Sequence, residues 1–216
     1  MGYPGTQTCN AFCDGYSACS TTLFCGDGIQ NGPEQCDGTD FGAVTPTCQA
    51  LGYTGGAGVT CSPTCTYIAT TCYHSVLFQA EDATPLGAGL QTDTTTYPGL
   101  TIVKQIVGVC TSANNTSTHA NITIPATANY KIWVKADMTA AFGSQNVTVV
   151  TAGGSSVVPI PNTATINTWT GSALISIPAG SSIRTVQQVC NSNLRVDAIL
   201  VTSNTSCTPT GDGSNC

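Results

Sequence analysis

The sequence predicts an all-β protein in which a small disulfide-rich module precedes an antiparallel β-sandwich. Nine of the 13 cysteines lie within residues 1–72, whereas short apolar runs alternating with turn residues fill the chain after residue 73. None of these runs has the 3.6-residue period of a helix over a useful length. Only 7% of the residues are charged, against roughly 25% in an average soluble domain.

The charge balance and the lengths of the apolar runs exclude two classes of partner. The net charge is −6, and nucleic-acid binding needs clustered Lys and Arg side chains, so no nucleic-acid partner is predicted. The longest aliphatic stretches, such as residues 198–201, are far shorter than the ~20 apolar residues that span a bilayer. No membrane span is predicted either.

The cysteine content of residues 1–72 indicates how this module is held together. One cysteine in every eight residues, with few large aliphatic side chains, leaves too little apolar surface to offset the chain entropy by burial. Zinc is the alternative to disulfides, but the close pairs have the spacing C-x3-C and no histidine lies among them. Disulfides are therefore predicted, and they indicate a secreted or surface-exposed protein.

The number of cysteines is odd, so at least one is free or bonded to another molecule. The sequence leaves the connectivity open. Cys110 and Cys190 each end a predicted strand and could bridge the two strand ends, and Cys207 with Cys216 could close a small loop. The cysteines expected in disulfides are Cys25, Cys36, Cys48, Cys61, Cys65, Cys72, Cys110, Cys190, Cys207 and Cys216. Residues 1–4 do not resemble a secretion signal, so we expect a mature or trimmed chain.

Eight apolar runs rich in Val, Ile and Thr are the predicted strands of the sandwich. They cover residues 76–81, 100–109, 120–124, 130–136, 146–150, 173–177, 183–189 and 195–201. Residues 153–156, Gly-Gly-Ser-Ser, are predicted to form a turn. The predicted organisation is a cysteine module at 1–72, a sandwich at 73–206 and a short Cys-closed tail at 207–216.

The cysteine module contains a specific pattern in residues 25–72. It begins CGDGIQNGPEQCDG at residues 25–38, continues CQALGYTGG at residues 48–56, and ends with Cys61, Cys65 and Cys72. This pattern resembles the six-cysteine repeat of bacterial surface proteins first named from myxobacteria. The resemblance implies a spacer or surface-display module without a catalytic role.

A second set of motifs runs through residues 76–203. In order along the chain they are QAED at 79–82, IP at 124–125, NYKIWVKA at 129–136, TW at 168–169, IPAG at 177–180 and NLRVDAI at 193–199. Together they resemble the calcium-containing carbohydrate-binding modules of families 6 and 35. That resemblance implies a galactose-binding-like, jelly-roll β-sandwich.

The same resemblance implies a structural calcium ion held by Gln79, Glu81 and Asp197, with Gln79 replacing a carboxylate of the family pattern. Residues two apart on a strand share one face, so Gln79 and Glu81 are expected to point together. Oxygen donors of this kind suit a hard cation. The alternative is that these carboxylates are merely solvated at strand ends.

The resemblance also implies a sugar site, which is formed in these families by aromatic side chains on loops at one end of the sandwich. The corresponding segment, residues 108–119, has no aromatic residue. Tyr97 is the nearest substitute, and Asn193 matches the polar ligand contact of the families. Trp133 and Trp169 match packing positions.

A second group of oxygen donors lies in the cysteine module, where it could hold calcium. The turn-forming side chains could equally bond their own backbone. The residues are Asp27, Asn31, Glu34, Asp37 and Asp40.

Five asparagines begin glycosylation sequons, which are acceptor sites in a secreted chain if the host has the transferase. Attached glycans would supply the hydration that the missing charges do not. The asparagines are Asn114, Asn115, Asn121, Asn146 and Asn204.

The motifs give no support to catalysis. The chain has two histidines, His74 and His119, and neither the HExxH nor the GxSxG pattern. The predicted function is a non-enzymatic, secreted subunit of an extracellular filament or surface assembly, in which the Cys-rich arm of one copy packs head-to-tail on the sandwich of the next. The alternative is a carbohydrate-binding or adhesive module on a Cys-rich spacer, with glycans as partners. Calcium is the only cofactor predicted.

Overall fold

The computed structural model describes residues 25–83, 86–94, 101–105, 116–119, 124–138, 145–160, 168–187 and 194–216. It divides into two compact units, Met1–Tyr73 and His74–Cys216. Within the described ranges the regular structure is β-strand apart from one short 3₁₀ turn, Ala80–Asp82. The protein is all-β, as the sequence predicts. None of the helical structure in these ranges is long and apolar enough to cross a membrane.

The described part of the first unit contains four very short strands in two antiparallel pairs. β1 (Gly55–Gly56) pairs with β4 (Cys72–Tyr73), and β2 (Thr60–Cys61) pairs with β3 (Tyr67–Ile68). The rest of its described part is almost entirely turn and loop, and strands of two residues contribute few backbone hydrogen bonds.

Disulfides hold the first unit together. They join Cys25 to Cys65, Cys36 to Cys61 and Cys48 to Cys72. The buried apolar side chains of its described part are Val59 and three of these half-cystines. A unit with so little apolar burial depends on its cross-links, which reduce the entropy of the unfolded chain.

The second unit contains ten described strands. They are β5 (Ser75–Gln79), β6 (Leu90–Asp93), β7 (Ile102–Gln105), β8 (Thr116–His119), β9 (Ala128–Met138), β10 (Gln145–Thr151), β11 (Gly154–Ile160), β12 (Thr168–Ile177), β13 (Ile183–Gln187) and β14 (Leu194–Thr202). One sheet has the order β12-β9-β14-β7-β6, with β5 also paired to β14, and the other has the order β11-β10-β13-β8. All of these pairs are antiparallel.

A single apolar core lies between the two sheets. Strand β9 shows how the sequence builds it, because Tyr130, Ile132 and Val134 alternate into the core while the intervening residues face outward. From the four-stranded sheet, Val147 and Val149 of β10 join the same cluster. The alternation predicted from the sequence is thus that of a sandwich strand with one buried face.

Several strands of the sandwich differ from the sequence prediction: β6 and β8 are not predicted, and β12 begins at Thr168 rather than at residue 173. The predicted turn at residues 153–156 is shorter, because the turn lies at Ala152 and Gly153 and β11 begins at Gly154. Strand β11 tolerates Pro159 because it is an edge strand of its sheet. The first predicted strand ends at Gln79, so that Glu81 lies in the 3₁₀ turn.

The tail at residues 207–216 covers the outer face of the six-stranded sheet. Its Cys207–Cys216 disulfide lies in a second apolar cluster with Trp133, Leu200 and Trp169. The Trp169 Nε1 donates a hydrogen bond to the backbone carbonyl of Gly211 over 3.2 Å. The tail therefore belongs to the second unit as an additional layer on the sheet.

Two glycines leave room for the indole rings of Trp133 and Trp169 against the backbone. A Cβ on Gly171 of β12 would lie 2.9 Å from Cε3 and Cζ3 of Trp133, and one on Gly213 of the tail would lie 2.7 Å from Cζ2 of Trp169. Gly213 also has φ +89°, a conformation that other residues rarely adopt. Close approach of a ring to the backbone explains both glycines.

Candidate functional site

Asp197 lies at an irregularity in β14. The register between β14 and β9 shifts between Val196 and Ala198, which leaves Asp197 as the additional residue of a β-bulge. On its other edge β14 pairs with β7 through Val196 and with β5 from Ala198 onward. Asp197 therefore lies where β14 changes partner, and the bulge gives its side chain a direction that regular pairing would not.

Glu81 and Gln79 approach Asp197 from the neighbouring chain segment. Gln79 ends β5 and lies opposite Ala198, the residue after Asp197. Glu81 follows in the 3₁₀ turn, and its Oε2 is buried with no hydrogen-bond partner among the described residues. Burial raises the pKa of Glu81, and the carboxylates of Asp197 and Asp82 raise it further. Two mutually repelling carboxylates thus lie close together.

Lys135 of β9 provides the positive charge beside this pair. Its Nζ lies 3.0 Å from Oδ2 of Asp197, and the two side chains are only 15% and 5% exposed. A charged pair as buried as this one is costly to desolvate, so each partner depends on the other. The sequence motifs do not mark Lys135 as a site residue. Its place in the alternation of β9 could have drawn attention to it: Ile132 and Val134 are apolar and predicted to be buried, so Lys135 is predicted to lie on the opposite, outer face.

The donor set fits a calcium ion in its chemistry. Glu81 and Asp197 offer carboxylate oxygens, and Gln79 offers an amide oxygen, which are the ligand types that calcium prefers. The buried, unpartnered Oε2 of Glu81 is an oxygen that a bound cation would satisfy. Calcium bound here would neutralise the repulsion that raises the pKa of Glu81.

The oxygen donors of the cysteine module are mostly engaged with backbone N–H groups. Oδ2 of Asp37 accepts hydrogen bonds from Gly26, Asp27 and Gly28 over 2.7, 2.8 and 3.0 Å. The two carboxylate oxygens of Asp40 accept from Gln30 and Gly42. This is the pattern expected of side chains that order their own loop.

The pKa values of these two aspartates agree with that arrangement. Burial by itself raises the pKa of Asp37, but the three backbone N–H groups outweigh it and the pKa is lowered. The N–H groups of Gln30 and Gly42 lower the pKa of Asp40. Both side chains are therefore held in the charged form.

Some side-chain oxygens near Glu34 accept no hydrogen bond among the described residues. Carboxylate oxygens of Glu34 and Asp37 and the Sγ of Cys65 lie within 4.8 Å of one another, but Cys65 is bonded to Cys25 and is not a thiolate ligand. Asn31 Oδ1 and Glu34 Oε2 are buried and have no hydrogen-bond partner within the described residues.

Several predicted site residues lie outside the described residues. They are Tyr97, Asn193, Cys110, Cys190, Asn114, Asn115 and Asn121. Of the other two sequons, Asn146 is exposed on β10, and Oδ1 of Asn204 accepts a hydrogen bond from Ser206 Oγ over 2.9 Å.

No protein-family model matches the sequence, and no curated protein matches it. Several solved structures are similar in fold. The C-terminal family 6 carbohydrate-binding module of the marine laminarinase LamC from Zobellia galactanivorans has a TM-score of 0.47 and 17% identity, covering 60% of this chain and 100% of that one. A family 6 module of Cellvibrio mixtus lichenase 5A, in complex with cellotriose, has a TM-score of 0.46, 23% identity and coverage of 60% and 97%.

A family 35 carbohydrate-binding module from Clostridium thermocellum has a TM-score of 0.45 and 19% identity, with 59% of this chain and 98% of that chain covered. These three structural neighbours are carbohydrate-binding modules. Each is matched over nearly its whole length, whereas the present chain extends well beyond the matched part.

Proposed function

We propose that this chain is a secreted, non-enzymatic carbohydrate-binding protein, in which a calcium-stabilised β-sandwich is presented by a disulfide-rich surface module. The observation that carries the proposal is that Glu81 and Asp197 interact electrostatically where β14 changes partner, and that Oε2 of Glu81 is buried with no hydrogen-bond partner among the described residues. These are the positions that the sequence resemblance to families 6 and 35 assigns to calcium. Four disulfides support an oxidising, extracellular location.

The role of the first unit in this proposal is display. Its three disulfides and short strands make a compact unit that needs little apolar surface, which suits a spacer exposed to solvent. The resemblance of residues 25–72 to six-cysteine surface repeats supports the same role.

Calcium binding is tested by isothermal titration of the EDTA-treated protein with CaCl₂. We expect one site in the second unit, and a melting temperature that rises with calcium because the ion binds only the folded state. The stabilisation is about 2.7 kcal/mol when free calcium is about 100 times the Kd. Glu81→Gln should abolish the calcium-dependent rise, and Glu34→Gln in the other unit is the matched control. An unchanged melting temperature of the wild-type protein would count against the calcium site.

Sugar binding is tested on a glycan array followed by titration with the best oligosaccharide. We expect Tyr97→Ala and Asn193→Ala to weaken binding about tenfold or more, because stacking and polar contacts orient a sugar. Tyr97→Phe keeps the aromatic face and should retain most of the affinity, and Asn146→Ala is the control for the asparagine change. An array without any bound glycan at high protein concentration would refute this part of the proposal.

A second candidate function is a subunit of an extracellular filament or surface assembly, and the cysteine count favours it. The chain has 13 cysteines, of which eight are paired in the four described disulfides. The remaining five, Cys9, Cys13, Cys19, Cys110 and Cys190, lie outside the described residues, and an odd number cannot pair completely within one chain. At least one sulfur is therefore available for a neighbouring copy.

Electron microscopy of the non-reduced protein and a non-reducing gel test this assembly. If the protein assembles, we expect fibres or sheets and disulfide-linked multimers that disappear with reductant. A protein that remains monomeric at high concentration, with its odd cysteine present as a free thiol, would exclude a covalent assembly.

A further inference from the structure

Lys135 is placed between the candidate calcium ligands and the tail. On one side its Nζ pairs with Oδ2 of Asp197 over 3.0 Å. On the other side the Trp169 ring centroid lies 6.0 Å from Nζ. Asp212 of the tail is also near: hydrogen bonds from Ser214 lower the pKa of Asp212, and the charge of Lys135 lowers it further. Lys135 therefore contacts Asp197 and has Trp169 and Asp212 as further neighbours.

Two carboxylates and one ammonium group act on one another on the Asp197 side. Glu81 and Asp197 together carry two negative charges when ionised, and Lys135 supplies one positive charge. A calcium ion would supply two, and it would draw on the carboxylate of Asp197, whose Oδ2 the ammonium contacts. An ammonium and a divalent cation a few ångströms apart repel each other strongly in a partly buried site, so they compete for Asp197.

An ammonium group displaced from Asp197 would find other favourable contacts on the outer face of β9. The Trp169 ring attracts cations through its π face, and the carboxylate of Asp212 lies in the exposed part of the tail. Lys131, four residues earlier on the same face, already shows this arrangement, because its Nζ lies 4.2 Å from the Trp133 ring centroid.

We propose that Lys135 is a built-in counter-ion that occupies Asp197 when calcium is absent and moves toward Trp169 and Asp212 when calcium binds. This inference rests on the calcium site of the proposed function. It assigns to Lys135 the role of setting the calcium affinity, and it couples the metal site to the tail at residues 207–216. Calcium binding then strengthens the contact of the tail with the sheet.

The experiment compares calcium binding by the wild-type protein, Lys135→Met and Lys131→Met, using isothermal titration of EDTA-treated protein with CaCl₂ at fixed pH and salt. We expect Lys135→Met to bind calcium about tenfold or more tightly than the wild type, because a competing charge is removed. Lys131→Met removes an equal charge from the same strand and face, so its affinity should stay within about twofold of the wild type.

A second readout needs no variant. The NMR signal of the Lys135 side-chain Cε and Hε atoms should shift when calcium is added to the wild-type protein, and the Trp169 indole N–H signal should shift with it. If calcium binds and neither signal moves, or if Lys135→Met has wild-type affinity, the counter-ion role is wrong while the calcium site stands. If neither the wild type nor Lys135→Met binds calcium, the calcium site itself is wrong and the counter-ion role fails with it.

Discussion

Single carboxylates organise the loops of the cysteine-rich unit, and Asp37 is the clearest example. One oxygen of its side chain accepts hydrogen bonds from three consecutive N–H groups, those of residues 26–28. The pKa of Asp37 in the folded protein is lower than its ordinary value of 3.8. The stabilisation by its charged form is therefore complete above that ordinary value and is lost as the pH falls through the lower, folded-state pKa.

We expect Asp37→Ala to accelerate amide hydrogen exchange at residues 26–28 by about tenfold or more at neutral pH, because these N–H groups lose their acceptor. Exchange is measured by NMR or mass spectrometry. Thr47→Ala is the control in the same unit, since Oγ1 of Thr47 accepts a hydrogen bond from the N–H of Ala50, and residues 26–28 should keep wild-type protection. Wild-type protection in Asp37→Ala would show that the disulfides order the loop without this carboxylate.

At the scale of strands, the pairing of β9 with β12 depends on a residue that lacks a side chain. Gly171 lies opposite Trp133, and the ring occupies the space that a Cβ would take. We expect Gly171→Ala to lower the free energy of unfolding by about 1–3 kcal/mol, the usual cost of overpacking. Chemical denaturation measures it, with Ala173→Ser on the exposed part of β12 as the control. A change below about 0.5 kcal/mol would mean that the ring moves aside freely.

The tail is an element whose docking depends on its disulfide. Cross-linking a loop of about ten residues reduces the entropy of the undocked chain by an amount equivalent to roughly 2.7 kcal/mol. We expect replacement of Cys207 and Cys216 by serine to undock the tail, red-shift the tryptophan emission and increase quenching by acrylamide. The signal is specific because both tryptophans of the chain, Trp133 and Trp169, lie in the cluster that contains this disulfide.

The control for the tail is Thr208→Ala, an exposed change in the same loop that keeps the disulfide and should leave the emission spectrum unchanged. If the double serine variant has wild-type emission and quenching, packing alone holds the tail in place.

The sequence predicted the strands whose alternation is strong and missed those whose composition is that of a turn. Strand β9 was predicted because its buried face is apolar, whereas β11 was not, because it begins with Gly154, Ser155 and Ser156 and contains Pro159. Pairing at the edge of a sheet stabilises such a strand despite its composition, and local pattern carries no information about that partner.

The candidate site could be predicted only in part, because it also depends on how distant strands pair. The motifs led to Gln79, Glu81 and Asp197, but the bulge that directs Asp197 and the ion pair with Lys135 depend on how β14 aligns with β9. Register between strands that are distant in the sequence is set by the whole sheet. The two cationic residues of β9 could have been placed on its outer face, but their partners could not have been predicted.

At the scale of the whole molecule, the two units are stabilised by different means. The described part of the first has three disulfides and few buried apolar side chains, whereas the second has a continuous core between two sheets. Removal of the disulfides should therefore affect the units unequally, because only the second buries enough apolar surface to remain folded.

We expect a strong reductant under otherwise native conditions to abolish amide protection in residues 25–72 and to leave β9, β10 and β14 protected by at least about 100-fold. Hydrogen exchange with mass spectrometry, with and without reductant, measures both units in one experiment. The non-reduced protein at the same temperature is the control. Loss of protection in both units together would show that the sandwich also depends on cross-links, including the Cys207–Cys216 disulfide of its own tail.

The central position of β14 has a consequence for synthesis of the chain. Residues 194–202 form the strand that joins β9 to β5 and β7, so the six-stranded sheet cannot close until the ribosome has made them. Both partners of each of the three described disulfides in the first unit have been made once Cys72 is added. In an oxidising compartment, where its disulfides can form, the first unit is thus able to fold before the sandwich, which stays unassembled until β14 has been made.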